Sequence, residues 1–356
     1  MSNFIDSGSM MRSVRLQSSD SVPVWLMRQA GRYMQEYRDV RSKVTFLELC
    51  KTPPLAAEVM LTAVKKLGVD AAIIFSDILL ILEPMGFGIH FPDSGGPRVT
   101  RPICQQADVK NVIELESANQ LDYVMDTVRY TREGLDKQIP LIGFAGAPFT
   151  LATYVIDAAG ENNANKPNSN NRNFNRVKSF MHLYPNEWDE LMRKFAISTA
   201  KYLNGQINAG VQIIQIFDSW AGCLSVDDYI NFVQPYSRLL IDLIQKGIPI
   251  IHFAPGNPIL LPEIAKTNCN VIGVDWRIPI DKAWEIIGKN HAIQGNLDPA
   301  ILLTDRETIR KMTQKIIRLT ERKNGFIFNL GHGVLPQTPI ENVIALVDAV
   351  HEFGQK

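Results

Sequence analysis

Short apolar runs recur along the chain, each ending in polar or glycine-rich residues. Val69–Phe75 leads into Ser76–Asp77, Ile139–Phe144 into Ala145–Gly146–Ala147–Pro148, and Val211–Phe217 into Asp218–Ser219. Ile248–Phe253 follows. Val271–Val274 then leads into Asp275–Trp276, Ala292–Gln294 into Gly295–Asn296, and Phe326–Asn329 into Gly331–His332–Gly333. Runs of this length, mostly apolar and bounded by turn residues, predict buried strands. Helical spacing fills the intervals. Phe46–Leu67 sets Ala56, Ala57, Met60, Ala63, Val64 and Leu67 on one face and breaks at Pro53–Pro54. Further helices are expected over Asn111–Gly134, Trp188–Asn208, Tyr229–Lys246, Pro279–Lys289, Asp305–Thr320 and Pro339–Phe353.

This alternation predicts βα units in a mostly parallel sheet. One more strand falls either on Val24–Met27 or on the hairpin-like Gly86–Phe91. In a closed parallel barrel the polar strand ends would all face one mouth. A doubly wound sheet is the alternative that the pattern alone leaves open, although no GxGxxG or Walker A sequence opens any unit.

Composition narrows the class. The chain has 356 residues, 46% of them hydrophobic, enough for one large barrel or two smaller domains. Its 37 basic and 37 acidic residues cancel, so general nucleic-acid binding is not expected. Cys50, Cys104, Cys223 and Cys269 lie far apart without a CxxC pair, which argues against a disulfide framework and for a reducing compartment. The apolar runs are too short to span a membrane. Residues 1–20 are polar, lack a secretory core and are expected to form a flexible tail. Acidic residues there argue against an organellar transit segment without excluding it, and Met10 and Met11 leave the start codon open. The asparagine-rich stretch at about 160–175 predicts a mobile exposed loop, either a tolerated insertion or a lid.

Candidate chemistry concentrates in a few places. Pro23–Val40 sets Arg28 and Arg32 around Gly31, with Arg38 and Arg41 close behind. A helix would put Arg28 and Arg32 on one face, and a loop turning at Gly31 would also aim both at one site. Guanidinium forks match carboxylates and phosphates; the alternative is a solvated basic face. Asp77 ends a buried strand, where a carboxylate needs donors or a cation beside it, or else caps a helix. The Tyr154 hydroxyl can orient a carboxylate or a proton donor, or simply be satisfied inside the core. Ser219 has no nucleophile elbow around it, so it reads as a hydrogen-bonding or turn residue. His332, between two glycines, reads as a ligand contact or a loop brace. The remaining histidines are scattered, and none pairs with a cysteine as a mixed zinc site would require.

Five segments together resemble the uroporphyrinogen decarboxylase family. They are Arg28–Gln29–Ala30–Gly31–Arg32–Tyr33, Phe75–Ser76–Asp77–Ile78–Leu79, the stretch from Gly143 to Leu151, Phe217–Asp218–Ser219–Trp220–Ala221–Gly222, and Asn329–Leu330–Gly331–His332–Gly333–Val334. The resemblance runs from about Pro23 to Phe353. It implies an α/β fold, a single (β/α)8 TIM barrel over residues 21–356 with the active-site cleft at the C-terminal ends of the strands. It also implies a cytoplasmic homodimer that uses no cofactor or metal and decarboxylates the four acetate arms of uroporphyrinogen III. Arg28, Arg32 and Arg41 match the family's anion-binding arginines. Asp77 matches its central aspartate, and Arg28 is the first candidate for proton transfer. Tyr154 joins Asp77 and Arg28 in the catalytic group. Tyr154, Ser219 and His332 are expected to position substrate, and Phe217 to touch the macrocycle.

The chain departs from the family's pattern after Tyr154, where a loop usually short and rich in Gly, Ser and Lys is longer and rich in Asn. Arg172–Asn173–Phe174 matches the end of that loop. Two rivals share the barrel or the pocket: a zinc-dependent methyltransferase acting on corrinoid proteins, and a non-catalytic porphyrin-binding protein. The intact arginine motif and the missing HxC pair argue against the first.

Overall fold

The computed structural model describes residues 8–92, 96–158, 174–321 and 323–355. Its centre is a seven-stranded parallel sheet whose strands neighbour one another in chain order. They are Ala72–Ile73, Leu141–Gly146, Ile213–Phe217, Ile250–Phe253, Val271–Gly273, Ala292–Leu297 and Phe326–Leu330. Consecutive order with helices between is the mark of repeated βα units. A doubly wound sheet would need a reversal of order, and there is none.

Val24 supplies the missing position. It bridges Phe328 in parallel, and the Phe328 amide donates to the Pro23 carbonyl at 2.8 Å. On its other side the Asp70 amide donates to the Val24 carbonyl, and the Val24 amide donates to Asp70 Oδ2, both at 2.8 Å. The extended segment therefore lies between the last strand and the chain entering the first, and closes the ring. Ile89–His90 instead pairs antiparallel with Arg98–Val99, outside the barrel. Inside it, Trp25 Nε1 donates to Gln294 Oε1 and Gln294 Nε2 to Gln215 Oε1, a short chain of buried hydrogen bonds across the barrel.

Helices cover the sheet. Pro53–Leu67 begins with prolines, buries Ala56, Met60, Ala63 and Leu67, and ends at Gly68 in the left-handed conformation. The break before it falls at Lys51–Thr52, so both prolines open the helix rather than interrupt it. The helix expected over Asn111–Gly134 is confined to Asp122–Gly134, preceded by short 3-10 turns. The one expected over Tyr229–Lys246 is two helices, Val226–Phe232 and Gln234–Leu243. Pro235 follows at the second position of the latter, and Val233 between them has left helical geometry.

The expected flexible tail is corrected over residues 8–20. Ser9–Val14 is a helix with Met10, Met11 and Val14 buried. It packs beside the last strand, where Leu16 crowds the Cα of Gly325. Three apolar side chains on one short turn bury enough surface to hold a segment that is polar on average. Residues 1–7 and nearly all of the asparagine-rich stretch, 159–173, lie outside the described residues. Among the described residues no helix is long and apolar enough to cross a membrane.

Candidate active site

A cavity of about 500 Å³ opens at the C-terminal ends of the strands. Arg28, Arg32, Arg41, Asp77, Tyr154, Phe217, Ser219 and His332 all line it. Sequence positions spread over three hundred residues thus converge because parallel strands deliver their following loops to one end.

The arginine segment is a loop, not a helix, up to Met34; Gln35–Arg41 is helical. The left-handed residue is Arg28, with φ of 63°, rather than Gly31. Such a conformation costs a non-glycine residue about 1 kcal/mol or more. Five hydrogen bonds hold it. Gln29, fully buried, accepts from the Leu26 amide and donates to the Ala71 carbonyl. The Tyr33 hydroxyl donates to the Gln29 carbonyl at 2.6 Å. Asn329 Oδ1 accepts from the Met27 amide at 3.2 Å, and the Val334 amide donates to the Met27 carbonyl at 2.9 Å. The loop is thereby stapled to the segment that carries His332. Arg38 faces elsewhere: its Nη1 donates to the carbonyls of Arg32 and Tyr33, bracing the loop. Arg41 anchors through the Val44 carbonyl while it lines the cavity.

Asp77 is the only carboxylate lining the cavity among the described residues. Its Oδ1 accepts from the Leu79 amide at 2.9 Å. Part of its surface reaches the cavity, yet protein is packed densely around the rest. Burial raises its pKa to about 6, opposed by the Leu79 N–H and by the positive charge of Arg28. At neutral pH the group is an anion held in a site that prefers it neutral, so it favours any cation or N–H donor that arrives.

His332 keeps its open side toward the cavity. Burial of the rest of the ring and the charges of Arg28 and Arg277 lower its pKa to about 4, against the pull of Asp275. It is therefore a neutral imidazole at physiological pH, able to donate or accept one hydrogen bond. Tyr154, on the helix Pro148–Asp157, meets Trp220 edge-on at 5.9 Å between ring centres. Of the Asp218–Ser219 pair, Ser219 lines the cavity. Asp218 is fully buried and accepts from the Thr150 hydroxyl at 3.0 Å.

Sequence reasoning missed much of the apolar wall. Phe75, Phe144, Trp220 and Phe253 line the cavity beside Phe217. Phe217 meets Phe144 and Phe253 edge-on at 5.5 and 6.2 Å. A signal was present: Phe75, Phe144, Phe217 and Phe253 each stand at or near the end of a strand run. Asn329 was visible only as part of a motif, without its bracing role. Among the described residues no three His, Cys, Asp or Glu side chains cluster as a metal site would require.

The sequence profile of the family described as uroporphyrinogen decarboxylase (URO-D) matches residues 7–353. The chain belongs to the uroporphyrinogen decarboxylase family. A uroporphyrinogen decarboxylase from Carboxydothermus hydrogenoformans is 45% identical, over 97% of this chain and 96% of its own. One from Geobacter metallireducens is 46% identical, over 95% of this chain and 96% of its own. Among solved structures, a methyltransferase from Methanosarcina mazei has a TM-score of 0.78 at 21% identity, covering 99% of both chains. That likeness speaks for the shared barrel and not for its chemistry.

Proposed function

We infer that the protein converts uroporphyrinogen III to coproporphyrinogen III and four molecules of CO2, without a cofactor or metal. Family membership supports the reaction, and one observation carries the residue assignment. The one carboxylate that lines the cavity among the described residues, Asp77, is electrostatically costly and shares the cavity with Arg28, Arg32 and Arg41. The substrate is the complement of this arrangement, with carboxylates around its rim and pyrrole N–H groups at its centre. The arginines hold outer acids, and Asp77 accepts the inward N–H donors.

The chemistry follows from that placement. Protonation of a pyrrole carbon next to an acetate arm makes the ring cationic. The carbon–carbon bond to the carboxylate then breaks, its electron pair flows into the ring, and CO2 leaves. Protonation of the methylene carbon gives the methyl group, and loss of the proton first placed on the ring carbon restores the neutral pyrrole, so one proton is taken up for each CO2 released. Asp77 stabilises the cationic ring from a fixed position in a low-dielectric site, where such charges act most strongly. Arg28 is the candidate for proton transfer, despite arginine's intrinsically high pKa. Tyr154 acts beside it, Ser219 and His332 position the arms, and Phe217 contacts the ring.

The enzyme is taken to work as a cytoplasmic homodimer with one barrel per chain over residues 21–356. The test is anaerobic incubation with uroporphyrinogen III in the presence of a chelator, followed by chromatography of the products. Stepwise loss of four carboxyl groups is expected. Recovery of substrate alone would leave the pocket as a porphyrin-binding site, and activity that disappears with chelator would favour the zinc-dependent rival.

A further inference from the structure

The helix Pro148–Asp157 is buried along its whole length except at Tyr154. Two of its threonines behave differently. The Thr153 hydroxyl donates back to the Phe149 carbonyl at 2.8 Å, the ordinary local bond of a threonine inside a helix. The Thr150 hydroxyl, fully buried, turns away from the helix instead. It donates to Asp218 Oδ1 at 3.0 Å and accepts from the Trp220 amide at 3.4 Å. One hydroxyl thus grips both chain neighbours of Ser219. Thr150 also stands four residues before Tyr154, one turn back on the same side of the helix.

The carboxylate that receives this bond is itself held. Asp218 is fully buried, and its amide donates to the Phe253 carbonyl at 2.8 Å. Its Oδ2 lies 3.7 Å from Nε2 of His252, which is also fully buried. The Thr267 hydroxyl donates to the Ile264 carbonyl at 2.7 Å, so its oxygen accepts from His252 Nδ1 at 3.1 Å and fixes that ring. A second attachment joins the helix to the Ser219 loop, since the rings of Tyr154 and Trp220 meet edge-on at 5.9 Å. Hydrogen bonds to a buried carboxylate are among the stronger ones, and a network of them holds its members in a single arrangement.

We propose that Thr150 is a positioning residue for the decarboxylation: its hydroxyl fixes Ser219 and Tyr154 in one geometry around an arm of the substrate. The proposal rests on the decarboxylase reading. Thr150 is fully buried and touches no substrate, so it acts through the two side chains that line the cavity. Proton transfer to carbon needs the reacting arm within a narrow range of positions, and a displacement of about 1 Å can cost on the order of a hundredfold in rate. The arginines sit on other elements and continue to hold the outer acids, so affinity is spared.

The test uses the full-length enzyme and reduced uroporphyrinogen III under anaerobic conditions, with products followed by chromatography over hours and melting temperatures measured in parallel. Thr150→Val is expected to lower kcat about tenfold and leave KM within about twofold. Thr150→Ser keeps the hydroxyl and should return kcat to within about threefold of wild type. In a Tyr154→Phe/Ser219→Ala background the positioned groups are gone, and Thr150→Val should then change kcat by less than about twofold. A Thr150→Val enzyme with wild-type kcat overturns the proposal. So does the same tenfold loss in both backgrounds, since that describes a general loosening of the fold. If Thr150→Val folds poorly, the pair Thr150→Val/Asp218→Leu takes its place with the same expected outcomes, because it removes the link without leaving a buried carboxylate short of a donor. A wild-type enzyme without turnover removes the decarboxylase reading and the role of Thr150 with it, whereas an active wild type with unaffected variants removes only that role.

Discussion

The side chain of Arg28 lies directly across the Cα of Gly333: a Cβ at position 333 would stand 2.5 Å from Arg28 Cδ and 2.8 Å from its Cγ. Gly333 is not among the residues with positive φ, so space rather than backbone conformation demands glycine there. Gly333→Ala is expected to displace the guanidinium while leaving the fold intact. The outcome to look for is a fall in kcat/KM of about tenfold or more, or ~1.4 kcal/mol of transition-state binding, at a melting temperature close to wild type. An alanine enzyme with full kcat/KM would mean that the placement of Arg28 does not matter to catalysis.

Asn329 ties the arginine loop to the last strand. One oxygen accepts from both the Met27 and the Leu330 amides, at 3.2 and 2.8 Å, in a fully buried position. Asn329→Ala leaves two buried donors unpaired, each worth about 1–3 kcal/mol. Thermal or denaturant unfolding should show a loss of several kcal/mol. Asn329→Asp, which keeps the acceptor, should retain more of the loop geometry and hence more activity. Equal stability of all three proteins would show that the Met27 turn is held by other contacts.

The strands were readable because both their faces are buried: an apolar run such as Val211–Phe217 has few alternatives. The eighth position was not, because the chain at Val24 makes a single bridge and its evidence lies in residues about three hundred positions away. The site residues were legible through strand ends and motifs, and they do share one cavity. What could not be read was geometry set by tertiary contacts. The left-handed turn falls on Arg28 rather than on the neighbouring glycine because Gln29, Asn329 and Val334 fix it there. Periodicity also fails on short elements, as the helix at Ser9–Val14 shows.

That helix gives a stability prediction. Met11 is 2% exposed and Met10 1% exposed. Met11→Ala should cost about 2 kcal/mol, the low end for a buried methionine because the site is near the periphery, with kcat unchanged. A flexible tail would show no loss on thermal unfolding.

Asp77 links activity to stability through pH. Its folded pKa, about 6, is raised above the ordinary 3.8 because burial disfavours the anion. The group therefore contributes its full stability below the unfolded value, and that contribution is lost as pH rises through 6. Asp77→Asn removes the liability. The variant should be more stable than wild type at pH 7.5, by on the order of 2 kcal/mol, and the difference should fade as pH falls toward 4. Catalysis moves the opposite way. The anion is needed to meet the pyrrole donors, so wild-type kcat/KM should decline as pH falls through about 6, and Asp77→Asn should lose at least about three orders of magnitude in rate. His332, lowered to about 4, is already neutral across that window, so His332→Gln should leave the acid limb in place while raising KM. Stability curves and pH–rate profiles on the same three proteins separate these effects. A limb that moves with His332, or an Asp77→Asn enzyme that is active and no more stable, would place the critical charge elsewhere in the cavity.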